Sequence, residues 1–260
     1  MTRVAAAFLL LPVFLQPPAR AAAQESSTAS RDPQAVSVIA QGVQAMGGSP
    51  PSDSVAEGTV ELVAGSKNEA GRVRVRTRGL EQSAEQITTT DQDRELIYSG
   101  QRASEKQEGT AKRVSMERAA SSQASCFPLV LLAAALNNPN AAFEYVGTEA
   151  VEGAPVHHVL IWNTFASTPE LTHLAEFSRK DLWLDAASGL PMKLAYEQRQ
   201  AGGAADRIRV EVFFADYRSV GGVLYPFLIR KSLNGTPWAT IRIQSVALNT
   251  GLSDSDFAVQ

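Results

Sequence analysis

The sequence predicts a mainly β fold of the α+β class: a curved antiparallel sheet forming a half-open barrel, covered by helices. Three observations predict it. From Asp181 to Phe257 apolar and polar residues alternate between turns built on Gly and Asn, the pattern of consecutive hairpins. Between Arg72 and Arg78 the alternation is strict, with Val73, Val75 and Thr77 on one face and four arginines on the other. Two segments, Asp32–Met46 and Pro128–Leu136, have helical character and apolar surface that must be covered.

The last third carries the clearest punctuation. Leu182–Asp185 is a short strand, Ala186-Ala187-Ser188-Gly189 a turn, and Pro191–Arg199 the return strand. Arg207–Asp216, Val223–Lys231 and Pro237–Leu248 follow as strands, separated by Gly221-Gly222 and Asn234-Gly235. Upstream, Val55–Ala64, Ser83–Thr90 and Arg94–Gly100 read as strands, Ala111–Met116 as a short one, and Phe143–Ala150 with Val156–Asn163 as a hairpin. The polar segment Gln101–Gly109 reads as an exposed loop or hairpin tip. Glu117–Ser125 is ambiguous. The expected sheet has about ten to twelve strands, enough to curl around a cavity.

Asp32 and Pro33 suit the cap and first position of a helix, which Gly47-Gly48 and Pro50-Pro51 end. In Pro128–Leu136 the run Leu-Val-Leu-Leu-Ala-Ala-Ala-Leu is apolar all round. Such a helix is either a core helix or a lid whose inner side faces a cavity. The four arginines are either a solvated sheet face or include one that reaches a carbonyl or an acidic group.

Residues 1–23 read as a signal peptide. Arg3 is the basic start, Val4–Leu15 an apolar run too short to span a bilayer, and Ala21-Ala22-Ala23 a small-residue cleavage site. The alternative is an uncleaved anchor. Residues 24–31 read as a disordered polar lead and 32–260 as one domain. Cleavage takes Arg3 and Arg20 off the 24 basic residues and leaves all 27 acidic ones, moving the net charge from −3 to −5. That balance argues against nucleic acid as a partner. Cys126 is the only cysteine. No internal disulfide is possible, and its apolar neighbours point to burial.

Catalytic signals are lacking. No nucleophile elbow, zinc-protease helix motif, dinucleotide fingerprint or phosphate loop occurs. His157 and His158 are adjacent on a strand and point to opposite faces, so no metal site and no cofactor are expected.

The run Phe-Ala-Asp-Tyr-Arg-Ser-Val-Gly-Gly-Val-Leu-Tyr-Pro from Phe214 to Pro226 resembles a strand–turn–strand signature of the LolA-like periplasmic lipoprotein-sorting proteins. Leu182-Trp-Leu-Asp185 with Gly189-Leu-Pro191, and Val246-Ala-Leu-Asn249 before Asp256-Phe257, resemble it too. The specific motifs lie after Phe143. The resemblance implies a half-open barrel whose N-terminal helix helps close the open end. It implies further helices forming a lid, held by an arginine on an early strand. It also implies a function: a monomeric periplasmic carrier, not an enzyme, binding acyl chains of lipoproteins or lipids in a hydrophobic cavity for sorting to the outer membrane. Candidate lining residues are the large apolar ones of lid and meander, Leu129, Leu132, Trp183, Phe213 and Tyr225. The alternative is an envelope sensor or scaffold of the same fold that binds a protein partner. A hydrolase using scattered carboxylates is a third, weaker reading.

Overall fold

The computed structural model describes residues 29–64, 67–122, 125–199 and 207–260. The expected signal peptide and residues 24–28 of the lead lie outside the described residues.

Thirteen strands form one antiparallel sheet. In chain order they are β1 Ser54–Ala64, β2 Lys67–Arg78, β3 Gln82–Thr89, β4 Asp93–Ser99, β5 Arg102–Gln107, β6 Thr110–Val114, β7 Ala141–Val151 and β8 Ala154–Asn163. Then come β9 Lys180–Asp185, β10 Pro191–Arg199, β11 Arg207–Val220, β12 Val223–Leu233 and β13 Thr236–Leu248. The spatial order is β6-β5-β4-β3-β2-β1-β13-β12-β11-β10-β9-β8-β7. Two meanders are thus joined where β1 pairs with β13. The two edges, β6 and β7, are consecutive in the chain. Their connection runs through α2 Met116–Ser122 and α3 Pro128–Asn137. The helices therefore bridge the edges that strand pairing would join in a closed barrel, and the sheet stays open.

Helix α1 spans Pro33–Ala45. Asp32 Oδ1 accepts from the amides of Gln34 at 2.7 Å and Ala35 at 3.1 Å, satisfying two of the orphan donors of its first turn. Val38, Ile39 and Val43 are buried against the sheet. Gly42 marks the closest approach: a Cβ there would lie 2.5 Å from Leu184 Cδ2 and 3.1 Å from Leu132 Cδ1. The helix tolerates a poor helix former at this point because only a bare backbone fits between sheet and α3.

One sheet face supplies the main core. Val60, Val73, Leu182, Leu194, Val212 and Ile241 alternate inward from six strands and meet α1 and α3. On the opposite face Trp183, Val156, Val151 and Ala195 form a separate small cluster, with Met192 and Phe213 against it.

Three expectations need correction. The sheet has thirteen strands among the described residues, rather than about ten to twelve. Gln101–Gly109 is no loop: it contains β5, paired with both β4 and β6. Its polarity hid the strand, which is joined to β4 by the Arg94–Glu105 ion pair at 2.6 Å and whose only buried residues, Ala103 and Ser104, are adjacent and so point to opposite faces. The polar lead is tied down at its end: Ser30 O accepts from Phe143 N at 2.9 Å, and Asp32 N donates to Phe143 O at 3.1 Å.

Candidate functional site: the cavity on the concave sheet face

Helix α3 begins with Pro128 at its first turn, a position that needs no amide donor. Leu129, Val130, Leu131, Leu132, Ala133 and Ala135 are all buried, so the helix is wrapped on several sides. Phe127, just before it, packs its ring on Tyr225 with centroids 4.5 Å apart. The far end is held by an arginine. Arg31 donates to Leu136 O at 2.9 Å and Asn138 O at 3.2 Å, and its guanidinium lies 4.6 Å over the Phe143 ring. A cation at the C-terminal carbonyls satisfies orphan acceptors and complements the helix dipole.

The arginines of β2 do other work. Arg78 donates to Leu252 O at 3.0 Å and pairs with Asp254, while Arg76 pairs with Glu95 and lies 3.8 Å from Asp256. They anchor the C-terminal segment, whose Phe257 lies beneath both guanidinium groups. The arginine that holds α3 comes instead from the polar segment before α1. No periodicity marks Arg31, so sequence reading missed it.

Beneath α2, next to the Ser125–Cys126 segment that leads into α3, the concave face forms a half-open cavity of about 380 Å³, and no residue of α3 itself lines it. Its walls come from both meanders: Val75 and Ile87 on one side, Ile208, Val210, Leu233 and Trp238 on the other. That volume lies in the usual range of about 300–1,000 Å³ for small-molecule sites. The interior is not purely apolar. Lys231 Nζ donates to Glu85 Oε2, and the Cys126 thiol donates to the same oxygen at 3.0 Å. Nearby, Glu105 is shared between Arg94 at 2.6 Å and Arg118 at 3.2 Å.

These contacts set the ionisation of the group. Burial alone would raise the Glu85 carboxyl, but the charge and hydrogen bond of Lys231 hold it below its ordinary value. Burial would lower Lys231, yet Cys126 and Glu85 keep it above its ordinary value. The pair is therefore charged at neutral pH. Burial pushes the Cys126 thiol up to about 12. A protonated, buried thiol is a poor nucleophile. Labelling by a thiol reagent is expected to be slow in the folded protein and to accelerate sharply in denaturant; equal rates in both would contradict this burial.

None of the five sequence candidates lines this cavity. Leu129, Leu132 and Tyr225 are fully buried in the main core beneath and around α3. The Tyr225 hydroxyl is buried without a hydrogen-bond partner among the described residues. Trp183 and Phe213 lie on the opposite face of the sheet, because alternate strand residues change side and the strand pattern did not say which was concave. The side chains that line the cavity with charge, Glu85, Arg94, Glu105, Arg118 and Lys231, were not singled out. Lys231 falls on the same strand face as Tyr225, Phe227 and Ile229, and this charge in an apolar alternation was the available signal.

The histidines point apart as expected. His157 Nδ1 meets the Tyr145 hydroxyl at 3.0 Å. His158 lies between Glu149 at 2.7 Å and Asp181 at 2.9 Å, stacked on Trp183 at 4.3 Å. Both ring nitrogens can donate only as imidazolium. Burial would lower this histidine, but the hydrogen bonds it donates to Asp181 and Glu149 outweigh that and raise its pKa. The stabilisation is complete below the unfolded value of about 6.5 and is lost as pH rises through the raised folded value. Thermal midpoints are thus expected to fall with rising pH over that window in the native protein, with a flatter profile in His158→Gln. Identical profiles would contradict the latch. No group of three or more residues able to hold a metal ion occurs among the described residues.

No protein-family model and no curated protein sequence matches the chain. Solved structures do. A domain described as an outer membrane lipoprotein-sorting protein domain, from Vibrio parahaemolyticus, aligns at 15% identity and a TM-score of 0.57, over 86% of this chain and 96% of that one. A LolA superfamily protein from Nitrosomonas europaea aligns at 11% identity and a TM-score of 0.55, over 86% of this chain and 97% of that one. The fold of this chain is the LolA-like fold that its turns and strand pattern resemble.

Proposed function

We propose that the protein is an exported, non-enzymatic envelope carrier that takes an acyl chain of a lipid or lipoprotein between the concave sheet face and α3. The observation that carries this reading is the cavity of about 380 Å³ on the concave face beneath α2, which reaches Cys126 just before the apolar helix α3. Each methylene buried there contributes about 0.8 kcal/mol, so a chain of ordinary length binds strongly without any covalent chemistry. Alone, the cavity holds only part of a long chain. Displacement of α3 extends it, and Leu129, Leu132 and the buried Tyr225 hydroxyl then face the ligand. Trp183 and Phe213 have no part in this site. The charged groups around Glu85 and Arg118 place the polar end of the ligand at the α2 side.

In this reading the mature chain starts at Gln24 and works in the periplasm. Native mass spectrometry of protein isolated from envelope fractions tests it. A co-purifying lipid or lipopeptide supports the carrier. A lipid-free protein retaining a specific protein partner would favour the scaffold instead.

A further inference from the structure

A second cavity, of about 220 Å³, lies between α2, the end of α3 and β8, and Lys180 lines it. Lys180 opens β9 and is only 4% exposed. Its ammonium makes one hydrogen bond, to Ala120 O at 3.2 Å, and lies 5.8 Å from the centroid of the Tyr196 ring. No carboxylate pairs with it among the described residues; Glu81, at the cavity wall, is exposed and does not reach it. This sets it apart from the other buried lysine, Lys231, which has Glu85. An ammonium offers three donors and needs a counter-charge when buried. Without one, burial drags this amine down to about 8. The surrounding wall is apolar at Leu131, Ala135, Ile161 and Trp162, with Ser178 and Asn163 as polar neighbours.

We propose that this second cavity binds the carboxylate end of a small amphiphilic acid, with Lys180 supplying the counter-charge. One cation matches a monocarboxylate; a phosphate group would bring about −1.5 to −2 charges to a single ammonium in an apolar site. The volume is below the usual range of about 300–1,000 Å³, so the ligand is a short chain rather than a diacyl lipid. The site is distinct from the cavity assigned to the carrier function and does not depend on that assignment.

Isothermal titration of the mature protein with octanoate, octanol and inorganic phosphate tests this. Octanoate is expected to bind, with octanol and phosphate each at least about tenfold weaker, the loss expected when a charge-assisted hydrogen bond or the apolar contacts are missing. Lys180→Met is expected to lower octanoate affinity by about tenfold or more while leaving the thermal midpoint unchanged or higher, because a buried unpaired charge is replaced by an isosteric apolar chain. Ala120→Leu keeps the amine but narrows the cavity, and should weaken octanoate similarly. Equal binding of octanoate and octanol, tightest binding by phosphate, no octanoate binding by the native protein, or native affinity in either variant would overturn the proposal. So would loss of fold in Lys180→Met, since the lysine would then be a structural tie to α2.

Discussion

Leu132→Asp is expected to abolish acyl uptake and to lower stability by about 3–5 kcal/mol, the range for forcing an unpaired charge into a packed site. Leu132 is fully buried, and its Cδ1 approaches Gly42 where α1 crosses α3. The carboxylate finds no cation there and reaches water only if α3 leaves its seat. The strands themselves are joined by ladders in which α3 takes no part. Far-UV circular dichroism should therefore keep its β signal while near-UV signal and binding of a fluorescent acyl probe are lost. Complete unfolding would make α3 plain core. Unchanged stability and binding would place it outside any role in uptake.

The second large effect lies in the cavity floor. Removing one partner of a buried ion pair costs about 3–5 kcal/mol, because the other charge is left uncompensated. Glu85→Gln leaves Lys231, 7% exposed, in that position. Lys231→Met leaves the Glu85 carboxylate with Arg94 as its remaining cationic neighbour, and the expected loss is smaller. The double variant Glu85→Leu/Lys231→Met removes both charges and should recover most of the stability, as apolar replacement of buried pairs often does. The cycle is read by urea unfolding. Additive losses in the double variant would mean that the two residues do not act as a pair. Acid should act in the same direction as Glu85→Gln: the carboxyl is depressed in the fold, so its stabilisation is present above the unfolded value near 4.3 and is lost as pH falls through the folded value.

The meander after Lys180 was legible because each turn is made by residues whose backbone needs are specific. Asn234-Gly235 and Gly221-Gly222 all take positive φ, as such hairpin turns require. Helix α1 was legible for the same kind of reason, from Asp32 and Pro33 at one end and the paired glycines at the other. Strand β5 was not, since an edge region stabilised by Arg94 and Glu105 carries no hydrophobic period. The site was legible only as far as α3. Which strand residues face the cavity depends on the sense of sheet curvature, a tertiary property, and a choice made by side-chain size selected Trp183 and Phe213 on the outer face. Arg31 and Lys180 act through partners far away in the chain, Leu136 and Ala120, and no local pattern announces such contacts.

The three tryptophans allow the central claim, an acyl chain held between sheet and α3, to be read directly. Trp238 lines the larger cavity, Trp162 the smaller one, and Trp183 the opposite sheet face. Titration with an acyl chain brominated along its length should quench the native fluorescence. The account predicts that Trp238→Phe loses most of this quenching and that Trp183→Phe keeps it. Quenching that survives Trp238→Phe unchanged, or that disappears with Trp183→Phe, would put the chain elsewhere on the protein and contradict the account.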